Sequence, residues 1–441
     1  MQHDQRDSDY KPDSITLVGA VAMGTGVMIG SGIFALTGQI AQLAGPLFPL
    51  SFVAGAVVTT FSAYTYIKMS NAFPSSGGVA MILHKCYGSG AVTGGAALLM
   101  ALSMVIAESL VARTFAAYLL RPFDTEDGPL VPLLAVAVIL FAFIVNIAGN
   151  RSIGLFSMVM AAIKIGGIAL FGIAALWSSG FDFAATSKSG GDFGVAGFLG
   201  SIALAILAFK GFTTITNSGA EITEPRRNVG RAIMISIAIC VVIYLLVAFG
   251  VGSSLEIDQI IAARDYSLAE AAEPALGRTG FVLTVLLAIV ATASAVLASV
   301  FAVSRMLAML TEMELIPHRH FAMPGTVQRH TLVYTVVIAS FLAVLFDLGR
   351  IASLGAFFYL VMDMSIHVGV WRYRRAEIGA SGPWLLAAIA FDAVVLVAFT
   401  IMKLQSDPAI VAIAASSIAT VFVLERLYLA RWLGPRDSAD V

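Results

Sequence analysis

Five ionisable side chains stand deep inside long apolar stretches of this sequence. They are Glu108, Lys164, Lys210, Asp363 and His367. Such a group at the centre of a bilayer costs roughly 2.5–3.5 kcal/mol on insertion scales, so it usually faces the interior of a helix bundle. The chemistry open to these residues is ion pairing, proton exchange or contact with a charged solute.

Lys164 lies in the apolar segment SMVMAAIKIGGIALF. It is about 13 residues from the cytoplasmic end of that segment, which at roughly 1.5 Å per residue is far for the side chain to reach the headgroups. Reaching them remains the structural alternative. Burial disfavours the charged form of an amine, so Lys164 is a candidate for proton exchange.

Glu108 and Lys210 allow three interpretations. Lys210 can pair with Glu108, it can face a bound solute, or it can point into a water-filled vestibule. A cationic solute would be repelled by a lysine at short range in a medium of low dielectric. We therefore expect a neutral or acidic solute.

Asp363 and His367 are four residues apart, so they share one face of a helix. An aspartate–histidine pair can relay protons near neutral pH. It can equally form a fixed hydrogen-bonded pair against a neighbouring helix, and the sequence leaves this role open.

Two glycine-containing segments complete the candidate site. The first reads IGSGIF at 29–34, and the second reads AFKGF at 208–212. If the helix opens at the first, the amides of Gly30, Ser31, Gly32 and Ile33 become a carboxylate site. A break at the second frees carbonyls for an ammonium group, with Phe209 or Phe212 lying over the solute. Close helix packing and lipid-facing phenylalanines are the structural alternatives.

The elements that must hold these residues are membrane helices. The chain has 441 residues, of which 59% are hydrophobic and 12% charged, about half the charge that a soluble domain carries. A net charge of −1 gives no basic surface for nucleic acid. The sequence has only two cysteines and no H-E-x-x-H spacing. We therefore expect no metal site, no cofactor and no enzymatic activity.

A membrane-crossing helix needs about 20 apolar residues. Twelve stretches have this length: 15–40, 46–70, 90–120, 129–149, 152–177, 193–219, 231–253, 279–311, 331–347, 350–371, 383–403 and 408–430. Of the 26 basic residues, 17 fall on one side of the resulting topology and six on the other. The basic side is the cytoplasm, so both termini are predicted to lie there, in an inner or plasma membrane. The acidic segment 256–273 is predicted to form a short surface helix.

The glycine-rich first and sixth spans are five apart, which favours inverted repeats of five helices. The predicted fold is all-α with twelve transmembrane helices. The first repeat covers 15–177, the second covers 193–371, and two further helices cover 383–430. Cytoplasmic tails occupy 1–14 and 431–441.

Four stretches resemble the amino acid–polyamine–organocation family of permeases. They are IGSGIFALTGQIAQLAGP at 29–46, FPSSGGVAMILHKCYG at 73–88, AFKGFTTITNSGAEITEPRRNVGRAI at 208–233 and SRMLAMLTEMELIP at 304–317. This resemblance implies a leucine-transporter-like 5+5 inverted repeat with discontinuous helices one and six, and transport by alternating access.

The resemblance also implies roles for individual residues. Ser31, Gly32 and Ile33, next to Ile29 and Gly30, would bind the substrate carboxylate. Phe209 would occlude the substrate, while carbonyls near Ala208 and Gly211 hold its amine. Lys164 would stand where sodium-coupled relatives bind the ion, with Thr292 and Ser294 as polar neighbours. Lys210 departs from the family pattern, which has an uncharged residue there.

The sequence thus predicts an amino acid carrier whose partners are lipid and protons, with no obligatory accessory subunit. Sodium- and proton-independent exchange, or a carrier or sensor of another small amine or anion, is the alternative. Arg305 is predicted to reach Glu221 or Glu224 near the cytoplasmic end.

Overall fold

A computed structural model describes residues 13–75, 77–123, 128–148, 153–181, 193–313, 315 and 327–432. Within these ranges, the side chains of 31, 153–159, 328–329 and 431–432 are outside the description. The α-helices, numbered in chain order, are α1 (Leu17–Met28), α2 (Phe34–Ala44), α3 (Phe48–Ala72), α4 (Gly78–Tyr87), α5 (Ala91–Leu120), α6 (Leu130–Ala148), α7 (Ile153–Ser178), α8 (Val195–Phe209), α9 (Thr213–Asn217), α10 (Pro225–Ser254), α11 (Ile257–Ala262), α12 (Ser267–Glu312), α13 (Val327–Leu345), α14 (Leu348–Gly369), α15 (Gly382–Ser406) and α16 (Pro408–Trp432).

The described residues contain ten helical runs that are long and apolar enough to cross a membrane. Two shorter apolar helices, Leu17–Met28 and His330–Leu345, accompany them. Each stretch predicted from the sequence coincides with a helix. The largest difference is at α12, which begins at Ser267, so that the end of the predicted surface helix joins the predicted membrane span across a bend at Gly277.

A sharp corner separates α2 from α3. Gly45 ends α2 with φ +56°, a backbone conformation that side chains with a Cβ rarely adopt. The 3₁₀ turn Gly45–Leu47 follows, and prolines at its start and in the first turn of α3 redirect the chain. One continuous 39-residue run, Phe34–Ala72, is thereby folded into two helices.

The acidic segment that precedes the long part of α12 is helical, as predicted. Glu256 and Gln259 form a reciprocal capping box that starts α11. The start of α12 contains Pro274 and bends at Gly277, which has non-helical dihedral angles. A short helix thus lies at an angle to the long apolar part of α12.

The helices α2 and α8 are largely buried inside the bundle, and α1 is buried mainly towards the end that adjoins α2. Every residue of α8 from Gly200 to Phe209 is buried. A helix that is apolar on all sides avoids water, either by packing among other helices or by facing lipid, and the burial of α8 shows that it packs among helices. Here α10 packs on α1, α3 and α7, while α12 and α14 pack on α5. Large exposed apolar side chains, such as Phe141 and Leu424, lie on the outer helices α6 and α16.

Candidate functional site

The sequence IGSGI forms a π-helical turn, Ile29–Ile33, between α1 and α2. The flanking residues Met28 and Phe34 both have helical dihedral angles. The prediction that the backbone opens at Gly30–Ile33 is therefore wrong for this conformation. A π turn still pairs each amide with a carbonyl five residues back, whereas an opened backbone would leave amides unpaired in an apolar interior. For Ser31 only the backbone is described.

The second predicted break is a tightening of the helix. Lys210–Phe212 forms a 3₁₀ turn between α8 and α9, and Phe209 before it remains helical. The backbone departs from helical geometry at Ser218, with φ −110° and ψ 17°. The break predicted at Phe209–Gly211 is thus wrong in kind, because 3₁₀ bonds satisfy the carbonyls that a true break would free.

Through a glycine, each irregular turn packs against the helix that leads into the other turn. A Cβ on Gly211 would stand 2.7 Å from Met28 Cγ and 2.8 Å from the Met28 backbone nitrogen. A Cβ on Gly32 would stand 2.9 Å from the carbonyl oxygen of Ala208. Both distances are below contact distance, so only glycine allows this approach. The two irregular segments therefore lie side by side, each against the residue that precedes or nearly precedes the other turn.

Tyr244 of α10 joins the two turns. Its hydroxyl lies 2.7 Å from the carbonyl oxygen of Met28 and 3.0 Å from that of Ala208. One carbonyl belongs to the chain just before the π turn and the other to the chain just before the 3₁₀ turn. These carbonyls therefore point at a shared polar group, which is the arrangement expected for binding an ammonium.

Phe209 and Phe212 are both fully buried, which excludes the lipid-facing alternative for either ring. The ring of Phe209 lies 4.8 Å from that of Tyr244, and the ring of Phe212 packs edge-on against Tyr66 at 5.2 Å. The two phenylalanines thus pack on opposite neighbours, α10 and α3. A movement of the 3₁₀ turn must disturb both contacts.

Lys164 is buried against the π turn. A methyl group on Gly30 would stand 3.2 Å from Lys164 Nζ and 3.4 Å from the carbonyl oxygen of Ala291 in α12. The ammonium therefore lies where the π turn meets α12, with 4% of the residue exposed. This position contradicts the alternative in which the side chain reaches the headgroups.

The predicted polar neighbours of Lys164 bond to their own helix. Thr292 Oγ1 donates to the carbonyl of Ala288 at 2.6 Å, and Ser294 Oγ donates to that of Ala291 at 3.0 Å. Both hydroxyl protons are thereby engaged. Any interaction of these residues with Lys164 would have to use hydroxyl lone pairs.

Lys210 and Glu108 do not pair. Lys210 Nζ donates to the carbonyl and the hydroxyl of Ser103 at 2.8 and 2.9 Å, and it lies 5.9 Å from the ring centroid of Tyr359. Both carboxylate oxygens of Glu108 are buried without a hydrogen-bond partner in the described part of the chain. Lys210 is also 8% exposed, which argues against the vestibule interpretation.

A sequence model described as amino acid permease matches residues 15–424 of this chain. The inner membrane transport protein YbaT of Escherichia coli is 28% identical over 407 residues, covering 90% of this chain and 92% of that protein. The branched-chain amino acid permease BcaP of Lactococcus lactis is 27% identical over 404 residues, with 84% of each chain covered. The methylthioribose transporter of Bacillus subtilis is 28% identical over 255 residues, about half of each chain.

The chain belongs to the amino acid permease family. The match spans both irregular turns and the long apolar helices, so the permease is a multi-pass membrane protein. The resemblance noted from the four sequence stretches is thereby confirmed.

Tyr244 and Ser103 are the site residues that the sequence interpretation missed. Tyr244 lies in the apolar run CVVIYLLVAF, where an aromatic residue is usual and carries no signal of its own. Ser103 is one of several small residues in α5. Their roles depend on helix rotation, which the sequence does not report.

Asp363 and His367 come together in the permease as their spacing predicts, with His367 Nε2 3.5 Å from Asp363 Oδ2. A third residue, Asp392 of α15, places Oδ2 3.4 Å from the same nitrogen. All three are fully buried. Asp392 stands alone in the apolar run LLAAIAFDAVVLVAF, and an isolated aspartate at membrane depth was the signal available for finding it.

An ion pair links α12 to the loop after α9 at the end of the bundle where Arg305 lies. Arg305 Nη2 lies 2.8 Å from Glu221 Oε1, which confirms the predicted partner. The backbone of Glu221 also accepts from the amide of Ile15 at 2.9 Å, and Thr223 donates to the carbonyl of Ile15. These bonds hold together three parts of the chain: the segment at Ile15, the loop that follows α9, and helix α12. A surface groove of about 530 Å³ lies near this end, lined in part by Leu17, Asn71 and Arg231, and is separate from the two turns.

Proposed function

We propose that this permease is a secondary active transporter that moves an amino acid across the membrane by alternating access. The observation that carries the proposal is the hydroxyl of Tyr244 on the carbonyls of Met28 and Ala208. An α-ammonium group is a stronger donor than a phenol, because charged donors form shorter and stronger hydrogen bonds. It can therefore take the place of this hydroxyl when the substrate binds.

The carboxylate of the substrate binds at the π turn in this proposal. A π turn is a strained variant of the α-helix, and turns of this kind recur at functional sites. Its conversion to an opened loop would expose the amides of Gly30–Ile33, which then gain a carboxylate in exchange for their helical partners. Substrate binding and helix opening are thus one event, and the substrate compensates the lost backbone bonds.

The proposed topology has twelve spans, with both termini in the cytoplasm and a 5+5 inverted repeat. The repeats run through α1–α7 and α8–α14, which correspond to residues 15–177 and 193–371, and α15 and α16 lie outside them. In support, the π turn and the 3₁₀ turn occupy equivalent places in the first helix of each repeat. The Arg305–Glu221 pair would then belong to the cytoplasmic gate.

The proposed substrate is a neutral amino acid. Lys210 lies in the 3₁₀ turn itself, so its charge disfavours a cationic side chain in the same site. A relative that covers 84% of this chain is a permease named for branched-chain amino acids, which supports the same class. No accessory subunit is needed for the proposed mechanism.

We assign coupling to Lys164. Its ammonium lies where the π turn meets α12, so the charge can hold these elements together in place of a bound sodium ion. Loss of the proton would release them. Proton symport is the form of transport that uses this gain and loss of a proton at Lys164. Proton-independent exchange is the alternative in which Lys164 stays charged throughout the cycle.

The test is uptake of labelled leucine, or of another neutral amino acid, into proteoliposomes. Uptake into vesicles without internal amino acid, driven by an inward proton gradient, is the expected result. Lys164→Ala should lower the initial rate at least about tenfold, since it removes the charge that joins two moving elements. Lys68→Ala is the matched control, because Lys68 is partly exposed and bonds to a loop carbonyl.

Each other outcome has a definite meaning. Uptake that needs preloaded amino acid and ignores the gradient supports exchange. Full gradient-driven uptake by Lys164→Ala refutes the coupling role. Binding of amino acids without net uptake or exchange refutes transport altogether and leaves a sensor.

A further inference from the structure

The buried cluster of Asp363, His367 and Asp392 is not used by the proposed transport mechanism. It joins α14 to α15, and one ligand-type atom from each residue lies within 4.8 Å of the other two. Neither ring nitrogen of His367 and neither carboxylate oxygen of Asp392 has a hydrogen-bond partner in the described residues. Three fully buried polar groups therefore converge without satisfying one another.

The distances are too long for hydrogen bonds and suit metal ligands. Hydrogen bonds between N–H and oxygen are usually about 2.7–3.2 Å long. The nitrogen of His367 lies 3.4 and 3.5 Å from the two carboxylate oxygens. Two ligand atoms that are each about 2.0–2.1 Å from a tetrahedral zinc ion stand about 3.4 Å apart.

The charge of the cluster also fits a divalent ion. Two buried carboxylates carry a net charge of −2 when both are ionised, which an interior of low dielectric tolerates only if positive charge or protons compensate it. A divalent cation with neutral imidazole makes the site electrically neutral. The nitrogen ligand favours zinc or a similar transition metal over calcium or magnesium, which prefer oxygen. His367 Nε2, Asp363 Oδ2 and Asp392 Oδ2 are three donor atoms, and the fourth position of a tetrahedral ion would be left for water.

A supporting shell is present on α3. Ser62 donates to Asp363 Oδ2 at 2.7 Å, and the hydroxyl of Tyr66 donates to Asp363 Oδ1 at 2.5 Å. Metal-binding carboxylates are typically oriented by such donors. The ring of Tyr66 in turn packs on Phe212, so this shell reaches the 3₁₀ turn.

We propose that Asp363, His367 and Asp392 bind one divalent transition-metal ion, best satisfied by zinc, which fixes α14 to α15. This assignment runs against the expectation of no metal drawn from the cysteine count and motifs. The ion would fix the position of Asp363, which holds Tyr66, and the ring of Tyr66 packs against Phe212 of the 3₁₀ turn. It has a structural role and is independent of which solute the permease carries.

The test is elemental analysis of the purified full-length protein in detergent. We expect about one zinc ion per chain in the wild type, as for other structural sites. Asp392→Asn and His367→Gln should each lose most of it. His330→Gln is the matched control, because His330 is another buried histidine, on α13, and should keep the metal.

Two results would overturn the proposal. One is wild-type protein without stoichiometric zinc, manganese, iron or cobalt, which would make the cluster a proton-bearing one. The other is unchanged metal content in Asp392→Asn, which would place the metal elsewhere. If the variants fail to fold, wild-type protein produced with cobalt decides the question, since a bound tetrahedral cobalt ion absorbs visible light and the lack of that absorption rejects the site.

Discussion

Gly211→Ala is the substitution that most directly tests the close packing of the 3₁₀ turn on the end of α1, just before the π turn. The added methyl would stand 2.7 Å from Met28 Cγ and 2.8 Å from the Met28 backbone nitrogen. The methionine side chain can turn aside, but the backbone nitrogen moves only if α1 moves. Overpacking of this kind costs about 1–3 kcal/mol, and the backbone contact places Gly211 towards the upper end.

The matched control is Gly26→Ala in α1. A Cβ there would meet Ala161 Cβ at 3.7 Å, an ordinary contact. Alanine is better than glycine in a helix by up to about 1 kcal/mol, so this control should be neutral or slightly stabilising. The same gain partly offsets the clash at Gly211. The free energy of the closed conformation should therefore differ between the two variants by about 2–3 kcal/mol. This corresponds to a roughly 30- to 150-fold change in the population of that conformation.

Two measurements check this difference. Thermal unfolding in detergent should give a lower midpoint for Gly211→Ala than for Gly26→Ala. Initial rates of amino acid uptake in proteoliposomes should fall at least about tenfold in Gly211→Ala and stay near wild type in the control. Gly211→Ala protein with wild-type stability and wild-type uptake would show that the two turns do not need this close approach, and the reasoning about the site would fail.

Two further predictions concern polar contacts around the same helices. Tyr244→Phe removes the donor to the carbonyls of Met28 and Ala208. It should lower the free energy of unfolding in detergent by about 1–3 kcal/mol, because buried acceptors are left unpaired. An unchanged unfolding midpoint would mean that the hydroxyl contributes nothing. Arg305→Gln and Glu221→Gln should each alter the uptake rate, whereas the double variant should add little to either single one, as expected for partners in one interaction. Fully additive effects would show that the two residues act separately.

The helices were predictable because membrane segments carry a strong signal. The predicted segment 383–403 corresponds to Gly382–Ser406, and 90–120 corresponds to Ala91–Leu120. A hydrocarbon layer demands about 20 apolar residues in each helix, so composition alone marks them. The glycines at 30, 32 and 211 also located the irregular turns correctly.

The kind of irregularity was not predictable. A glycine lowers the cost of leaving α-helical geometry, but the sequence does not say whether the result is an opened backbone, a π turn or a 3₁₀ turn. That choice depends on which groups can replace the lost backbone bonds. Here Tyr244 contributes a donor from a different helix, and local sequence contains no information on that contact.

The partner of Lys210 was missed for a related reason. Glu108 and Ser103 are both in α5, five residues apart, which turns them by about 140° relative to each other around the helix. The charge of Glu108 made it the obvious partner, yet the rotation of α5 presents Ser103 to Lys210 instead. Side-chain chemistry suggests pairs, whereas packing decides which of them face each other.

The helical form of both turns and the link between them through Tyr244 also explain how the permease can rest without its substrate. An opened helix that meets neither water nor other protein groups would leave amides and carbonyls unpaired, at a cost of several kcal/mol for each group. Winding the segment into a π turn keeps those groups bonded, and the hydroxyl of Tyr244 serves the two carbonyls that face each other. A substrate must then supply at least the same hydrogen bonds to open the site. In this account, a solute that lacks either the ammonium or the carboxylate would compensate half of the loss and would not be carried.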